Sequence, residues 1–172
     1  DEAEASSRQA IALNPDYAEA HSNLGNILRE IGGLDKAEAS YNQAIVLKPD
    51  YAEAHYNLGV TLQELGRLDE AEASYNQAIL LNPNFAEAHY NLGNMYKELG
   101  RLDEAKARYN QAIAFKPDYA DAHNNLGAIL KGLRRFDEAE ASCRQAIALK
   151  LDYAEAHSNL GGALRGLSLI HI

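Results

Sequence analysis

A five-residue stretch, His55-Tyr56-Asn57-Leu58-Gly59, recurs along the chain at a step of 34 residues with no insertion. It returns as His21-Ser22-Asn23-Leu24-Gly25, His89-Tyr90-Asn91-Leu92-Gly93, His123-Asn124-Asn125-Leu126-Gly127 and His157-Ser158-Asn159-Leu160-Gly161. A fixed step of this size describes one supersecondary unit, copied and stacked so that each copy packs mainly on its neighbours. By length alone, 172 residues would suggest one closed globular domain. The period replaces that expectation with a continuous stack.

Inside one unit the apolar spacing is helical. Ala20, Leu24, Ile27, Leu28 and Ile31 fall on one helix face, Gly32-Gly33 interrupts, and Ala37, Tyr41, Ala44 and Ile45 form a second face that Pro49 ends. Each unit is therefore a pair of helices, A and B. Counted from Ala18, the units are 18–51, 52–85, 86–119 and 120–153. Residues 1–17 match helix B alone, aligning Asp1 with Asp35, Ala3 with Ala37 and Pro15 with Pro49; residues 154–166 match helix A alone. The tail 167–172 leaves the pattern. Neither end carries a polar capping helix, so a piece of a longer array is expected. Its open ends suggest end-to-end self-association, helix A of one copy completing a repeat with helix B of another.

Acids recur at the expected helix starts. Asp35 with Glu38, Asp69 with Glu72 and Asp137 with Glu140 read as capping boxes, whereas Asp103 is followed by Lys106. Asp16/Glu19, Asp50/Glu53, Asn84/Glu87, Asp118/Asp121 and Asp152/Glu155 do the same for helix A. Much of the net charge of -9 is then a consequence of helix starts. That charge disfavours nucleic acid and anionic membrane as partners and suits basic or neutral peptides. A single cysteine, Cys143, excludes an intrachain disulfide. With no leader and no apolar run near 18 residues, a cytoplasmic location is expected.

Gly25, Gly59, Gly93, Gly127 and Gly161 fall inside helix A, where each costs about 1 kcal/mol against alanine. Five such losses in register imply close approach of helix B, expected through Ala37, Ala71, Ala105 and Ala139. Tyr41, Tyr75 and Tyr109 share one core position in helix B that Cys143 takes in the fourth unit, which predicts an inert buried thiol. Leu151 replaces the closing proline there, so helix B is expected to run on by a residue or two.

The run Leu92, Gly93, Tyr96, Ala105, Tyr109, Ala112 and Pro117, repeated along nearly the whole chain, resembles the tetratricopeptide repeat (TPR) family. One departure is systematic: histidine stands where the motif often has tryptophan, at His21, His55, His89, His123 and His157. The resemblance implies an all-α TPR solenoid, a right-handed superhelix of antiparallel helix pairs whose A helices line a concave face. The asparagine row makes the chain similar to the array of the O-linked N-acetylglucosamine transferase family and related bacterial TPR proteins, where such a ladder binds peptide backbones.

Asparagine is a poor helix-interior residue, so Asn23, Asn57, Asn91, Asn125 and Asn159 call for a reason other than propensity. A carboxamide offers two donors and two acceptor lone pairs, the complement of an extended backbone. Asn26 and Asn94 share the same helix faces as candidate peptide contacts, and Tyr56, Tyr90, Arg29, Lys97 and Lys131 would select side chains. Alternatively, each Asn ties one helix to the next; the two roles are compatible. Histidines one repeat apart cannot share a metal ion, because neighbouring helices pack 8–10 Å apart and ligands need about 2 Å. No nucleophile–base set or phosphate loop stands outside the repeat. The sequence thus predicts a non-catalytic peptide-binding module without metal or cofactor. Its alternatives are a substrate-recruiting array cut from a glycosyltransferase and a self-assembling scaffold.

Overall fold

A computed structural model describes residues 2–170. Asp1, aligned above with Asp35, and residues 171–172 of the tail lie outside the described residues. Among those described there are ten helices and no strand. They are α1 (Glu2–Leu13), α2 (Ala18–Glu30), α3 (Leu34–Leu47), α4 (Ala52–Glu64), α5 (Leu68–Leu81), α6 (Ala86–Glu98), α7 (Leu102–Phe115), α8 (Ala120–Gly132), α9 (Phe136–Leu149) and α10 (Ala154–Ile170). The pairs α2/α3, α4/α5, α6/α7 and α8/α9 are the A/B hairpins of a TPR solenoid. The chain divides into two compact units, Asp1–Pro83 with α1–α5 and Asn84–Ile172 with α6–α10.

The core of each hairpin is a small-residue seam around one large ring. Ala37, Tyr41 and Ala44 of α3 are fully buried, as are Ala105, Tyr109 and Ala112 of α7. Gly25, Gly59 and Gly93 face the rings rather than the alanines expected from the sequence, whereas Gly127 faces Cys143 and the Ala139 carbonyl. A Cβ on Gly25 would stand 2.6 Å from Tyr41 Cε1, and one on Gly93 2.8 Å from Tyr109 Cε1. In the fourth hairpin a Cβ on Gly127 would meet Cys143 Sγ at 2.6 Å. The absent methyl therefore makes room for a side chain one turn further along helix B than the alanine.

The capping boxes do not form. The N-cap positions are Gly33, Arg67, Arg101 and Arg135, none with a side-chain cap hydrogen bond, and the aspartates sit one residue inside the helix. From there they favour the helix dipole without capping it. Glu38, freed of that role, pairs with Arg67.

The A-to-B turns are Schellman motifs. Gly100 N–H donates to Lys97 O and Arg101 N–H to Tyr96 O, with Gly100 at φ +73. Gly32 and Gly66 repeat this, but in the fourth hairpin Arg134 occupies the left-handed position at φ 61. A Cβ there costs roughly 1–2 kcal/mol. Arg134→Gly should therefore raise the stability of the second unit by about 1 kcal/mol, read as a shift of the denaturant midpoint at unchanged slope. An unchanged or lower midpoint would show that the turn is relaxed.

Helix α9 stops at Leu149, in register with the other B helices, so losing the proline at Leu151 does not lengthen it. His157 Nε2 lies 3.0 Å from Leu151 O. His21, His55 and His123 hold Pro15, Pro49 and Pro117 carbonyls in the same way at 2.9, 3.1 and 3.0 Å. At the other end, α10 runs through Leu167 to Ile170, past Ser168, which stands where Gly32, Gly66 and Gly100 turn the chain.

Candidate functional site

The side chains that fill the hairpins also set the A-helix face. In the second unit the Tyr109 hydroxyl crosses the core and donates to Asn94 Oδ1 at 2.7 Å. The same Oδ1 accepts from Asn125 Nδ2 at 3.0 Å, and Asn125 Nδ2 also reaches the Tyr90 hydroxyl at 3.3 Å. Tyr90 packs beside Tyr109 and Tyr119, with ring centroids 5.9 and 4.6 Å away. A core phenol thus fixes one carboxamide, which orients the next.

One hairpin further on, the chemistry changes with the core residue. Cys143 has no hydroxyl to send across. Asn159 Nδ2 instead donates to Asn124 Oδ1 at 3.0 Å, and Lys131 Nζ donates to Asn159 Oδ1 at 2.7 Å. Asn124 is 2% exposed and passes its own amide to Glu155 Oε2 at 3.3 Å. These links join α8 to α10 as Asn125 joins α6 to α8, so Asn125 and Asn159 do tie successive A helices.

Both carboxamides nevertheless line an open cleft of about 300 Å³, together with Lys97, Asn124, Ala128, Glu155 and Ser158. With its Nδ2 engaged, Asn125 presents Oδ1 as an acceptor, while Lys97 supplies a cation and Ser158 an exposed hydroxyl. The sequence reading gives Glu155 only the start of its helix. Its place in the cleft follows from the side-chain contact with Asn124, which no repeat pattern encodes.

The first unit is built differently. The Tyr41 hydroxyl donates to Asn26 Oδ1 at 2.7 Å, and Arg29 beside that phenol pairs with Glu64 at 3.2 Å. The Tyr75 hydroxyl turns to Gln63 Oε1 at 2.9 Å, and Tyr56 packs on the Tyr75 ring with centroids 6.1 Å apart. Asn23 is exposed, whereas Asn57 and, in the second unit, Asn91 are half-buried. Thr61, buried in α4, bonds the Asn57 carbonyl at 2.9 Å. Arg29 and Lys131 are thus committed to protein partners, and Lys97, equally half-buried, is the expected cation with no such partner among the described residues.

Burial pushes the Tyr41, Tyr90 and Tyr109 phenols up, so they remain donors through the physiological range. Tyr153 moves the same way through burial and through Asp121, whose Oδ1 accepts its hydroxyl at 2.7 Å. Burial likewise raises the Cys143 thiol, with Lys131 acting in opposition. The Lys116 hydrogen bond holds the Glu87 carboxyl below the usual glutamate range. Among the described residues no three His, Cys, Asp or Glu side chains converge as a metal site would require. No described helix is long and apolar enough to cross a membrane.

The TPR repeat family matches residues 25–66, 62–100 and 93–133, and the tetratricopeptide repeat description also matches 120–153 and 8–39. The comparison with curated proteins finds no match. Among solved structures, a crystal structure of MamA is 28% identical, with 87% of each chain covered and a TM-score of 0.77. YrrB, described as a TPR protein with an unusual peptide-binding site, is 23% identical over 94% of this chain and 89% of its own, with a TM-score of 0.80. PilF of Pseudomonas aeruginosa is 21% identical over 86% of this chain and 68% of its own, with a TM-score of 0.77.

Proposed function

Since the chain belongs to the tetratricopeptide repeat family, we propose that it is a non-catalytic module that holds an extended peptide segment of another protein on the face formed by its A helices. The observation that carries this reading is the cleft bearing Lys97, Asn125, Ser158 and Asn159 in the second unit. Its groups are those an extended backbone requires: the Asn125 carbonyl takes a peptide N–H, the Ser158 hydroxyl gives to a peptide C=O, and Lys97 faces an acidic side chain or a carbonyl. Asn57, Tyr56 and Asn23 contribute the corresponding surface of the first unit, and Asn91 and Tyr90 that of the second. The peptide site described for YrrB supports the class of ligand, not its sequence. Recruitment of substrates for a glycosyltransferase rests on the asparagine row alone, since the comparisons support the repeat family and not that enzyme.

Screening an immobilised peptide array with the intact chain would identify a binder, and fluorescence anisotropy would give its affinity. Asn125→Ala and Lys97→Glu should each weaken it about tenfold, the loss of one hydrogen bond involving a charged or carboxamide group. Far-UV circular dichroism should stay unchanged for Lys97→Glu. Undiminished binding by both variants would remove the A-helix face as the site.

A further inference from the structure

On the opposite side of the hairpins, the B-helix face of the second unit carries a groove between α7 and α9. One part, about 490 Å³, is lined by Lys106, Asn110, Leu126, Leu130, Arg135, Glu138 and Ser142 among others. A second part, about 250 Å³, shares Asn110, Leu126 and Ser142 with it. Leu126 and Leu130 come from α8 and form the floor, while small residues of α9 keep the channel open.

The first unit shows how such a gap closes. Arg67, at the start of α5, gives Nε and Nη2 to Glu70 at 2.7 and 2.6 Å, and its Nη1 reaches across to Glu38 Oε2 on α3 at 2.7 Å. Arg135 is the equivalent residue at the start of α9. It likewise gives Nε and Nη2 to Glu138, both at 2.6 Å. Its Nη1 has no acceptor among the described residues, because Lys106 stands where Glu38, Glu72 and Glu140 stand in the other copies. Lys106 itself reaches only Asp103, at 3.4 Å, and that carboxylate is 89% exposed, so the pair is weak. The repeat thus sets two cations beside a groove floored by Leu126 and Leu130, one of them already paired with Glu138, and removes the carboxylate that would bridge them.

We propose that this groove binds a short acidic segment of a partner protein. A carboxylate from the segment replaces the missing glutamate, accepting from Arg135 Nη1 and Lys106 Nζ. The neighbouring apolar side chain lies over Leu126 and Leu130, with Asn110 and Ser142 beside the segment's backbone. Charge-assisted bonds to arginine are the strong class of hydrogen bond, and burying the adjacent apolar group removes water from around them. The overall charge of -9 opposes an acidic segment at long range, so this binding depends on the local cations Lys106 and Arg135. The inference is independent of the A-helix reading.

The probe is an end-capped pentapeptide alternating aspartate and leucine, titrated into the isotope-labelled full chain and followed by amide chemical shifts. Shifts should concentrate at Asn110, Ala141 and Ser142. Lys106→Glu restores the residue found in the other copies, so folding is preserved. It lets Arg135 Nη1 close the groove from within, and affinity should fall at least tenfold. Asn125→Ala should leave affinity unchanged. The proposal is overturned if the shifts map to Lys97, Asn125 and Ser158, if Lys106→Glu binds as well as the parent chain, or if a lysine–leucine pentapeptide binds equally.

Discussion

Truncating Tyr109 to alanine should destabilise the second unit by about 3–5 kcal/mol, the range for removing a fully buried aromatic ring. The ring is completely buried, lies against the backbone of Gly93, and ends in a hydroxyl 2.7 Å from Asn94. Ala105 and Ala112 on either side are too small to fill the space and are themselves fully buried. Tyr109→Phe separates the two contributions. It keeps the ring and deletes the donor to Asn94, for about 1 kcal/mol. It also frees the carboxamide on which Asn125 rests, so it should weaken peptide binding on the A-helix face more than it weakens the fold. Nearest-neighbour stacks need not unfold in one step, which makes a local probe preferable to a global one. Cys143 provides it: the thiol is buried and its ionisation suppressed, so disulfide reagents reach it only when the unit opens. Labelling of Tyr109→Ala should be faster than that of the parent chain by roughly a hundredfold or more, since 1.4 kcal/mol is a factor of ten in the open population. A change below tenfold would mean that the ring is not the centre of the unit.

The hairpins and their register were legible because they depend on periodic properties. Helical spacing and the Gly32, Gly66 and Gly100 turns repeat every 34 residues, and a repeated fact is hard to misread. The misplaced details concern what a side chain does once its helix exists. Asp35 and Glu38 have the spacing of a capping box, but the helix starts at Leu34, and Glu38 finds a better partner in Arg67 across the gap. Leu151 lacks proline's stop, yet α9 ends at Leu149 in register with the other B helices. The candidate site was legible as a set of helix faces and not as a set of free groups. Arg29 and Lys131 are spent on Glu64 and Asn159, while Lys97 has no such partner among the described residues, and this difference arises from neighbours one repeat away. The most informative residue, Lys106, was visible as a broken motif. Its meaning required the Glu38–Arg67 bridge as a reference.

The same glycine-to-alanine change should act with opposite sign at two positions of one sequence column. At Gly93 the new methyl would stand 2.8 and 2.9 Å from Tyr109 ring carbons and 3.4 Å from Arg108 Cβ. The ring is locked by burial and by its bond to Asn94, so α6 must shift away from α7. Overpacking of this kind costs about 1–3 kcal/mol, which exceeds the roughly 1 kcal/mol that alanine gains over glycine in a helix. At Gly161, within α10, nothing lies within 4 Å of the new methyl. There the propensity gain stands alone, and Gly161→Ala should stabilise by up to about 1 kcal/mol. Gly127 tests the cause. Its methyl would meet Cys143 Sγ at 2.6 Å, so Gly127→Ala should destabilise, and Cys143→Ala in the same chain should recover most of that loss. The coupling between the two changes, read from a double-mutant cycle in urea, should reach at least about 1 kcal/mol. Additive effects at Gly127 and Cys143, or a stabilising Gly93→Ala, would show that the glycines are kept for some reason other than the approach of the helix B side chain. Opposite signs at Gly93 and Gly161, with rescue at Gly127, would tie the glycine column to the tyrosine whose hydroxyl also orders the binding face.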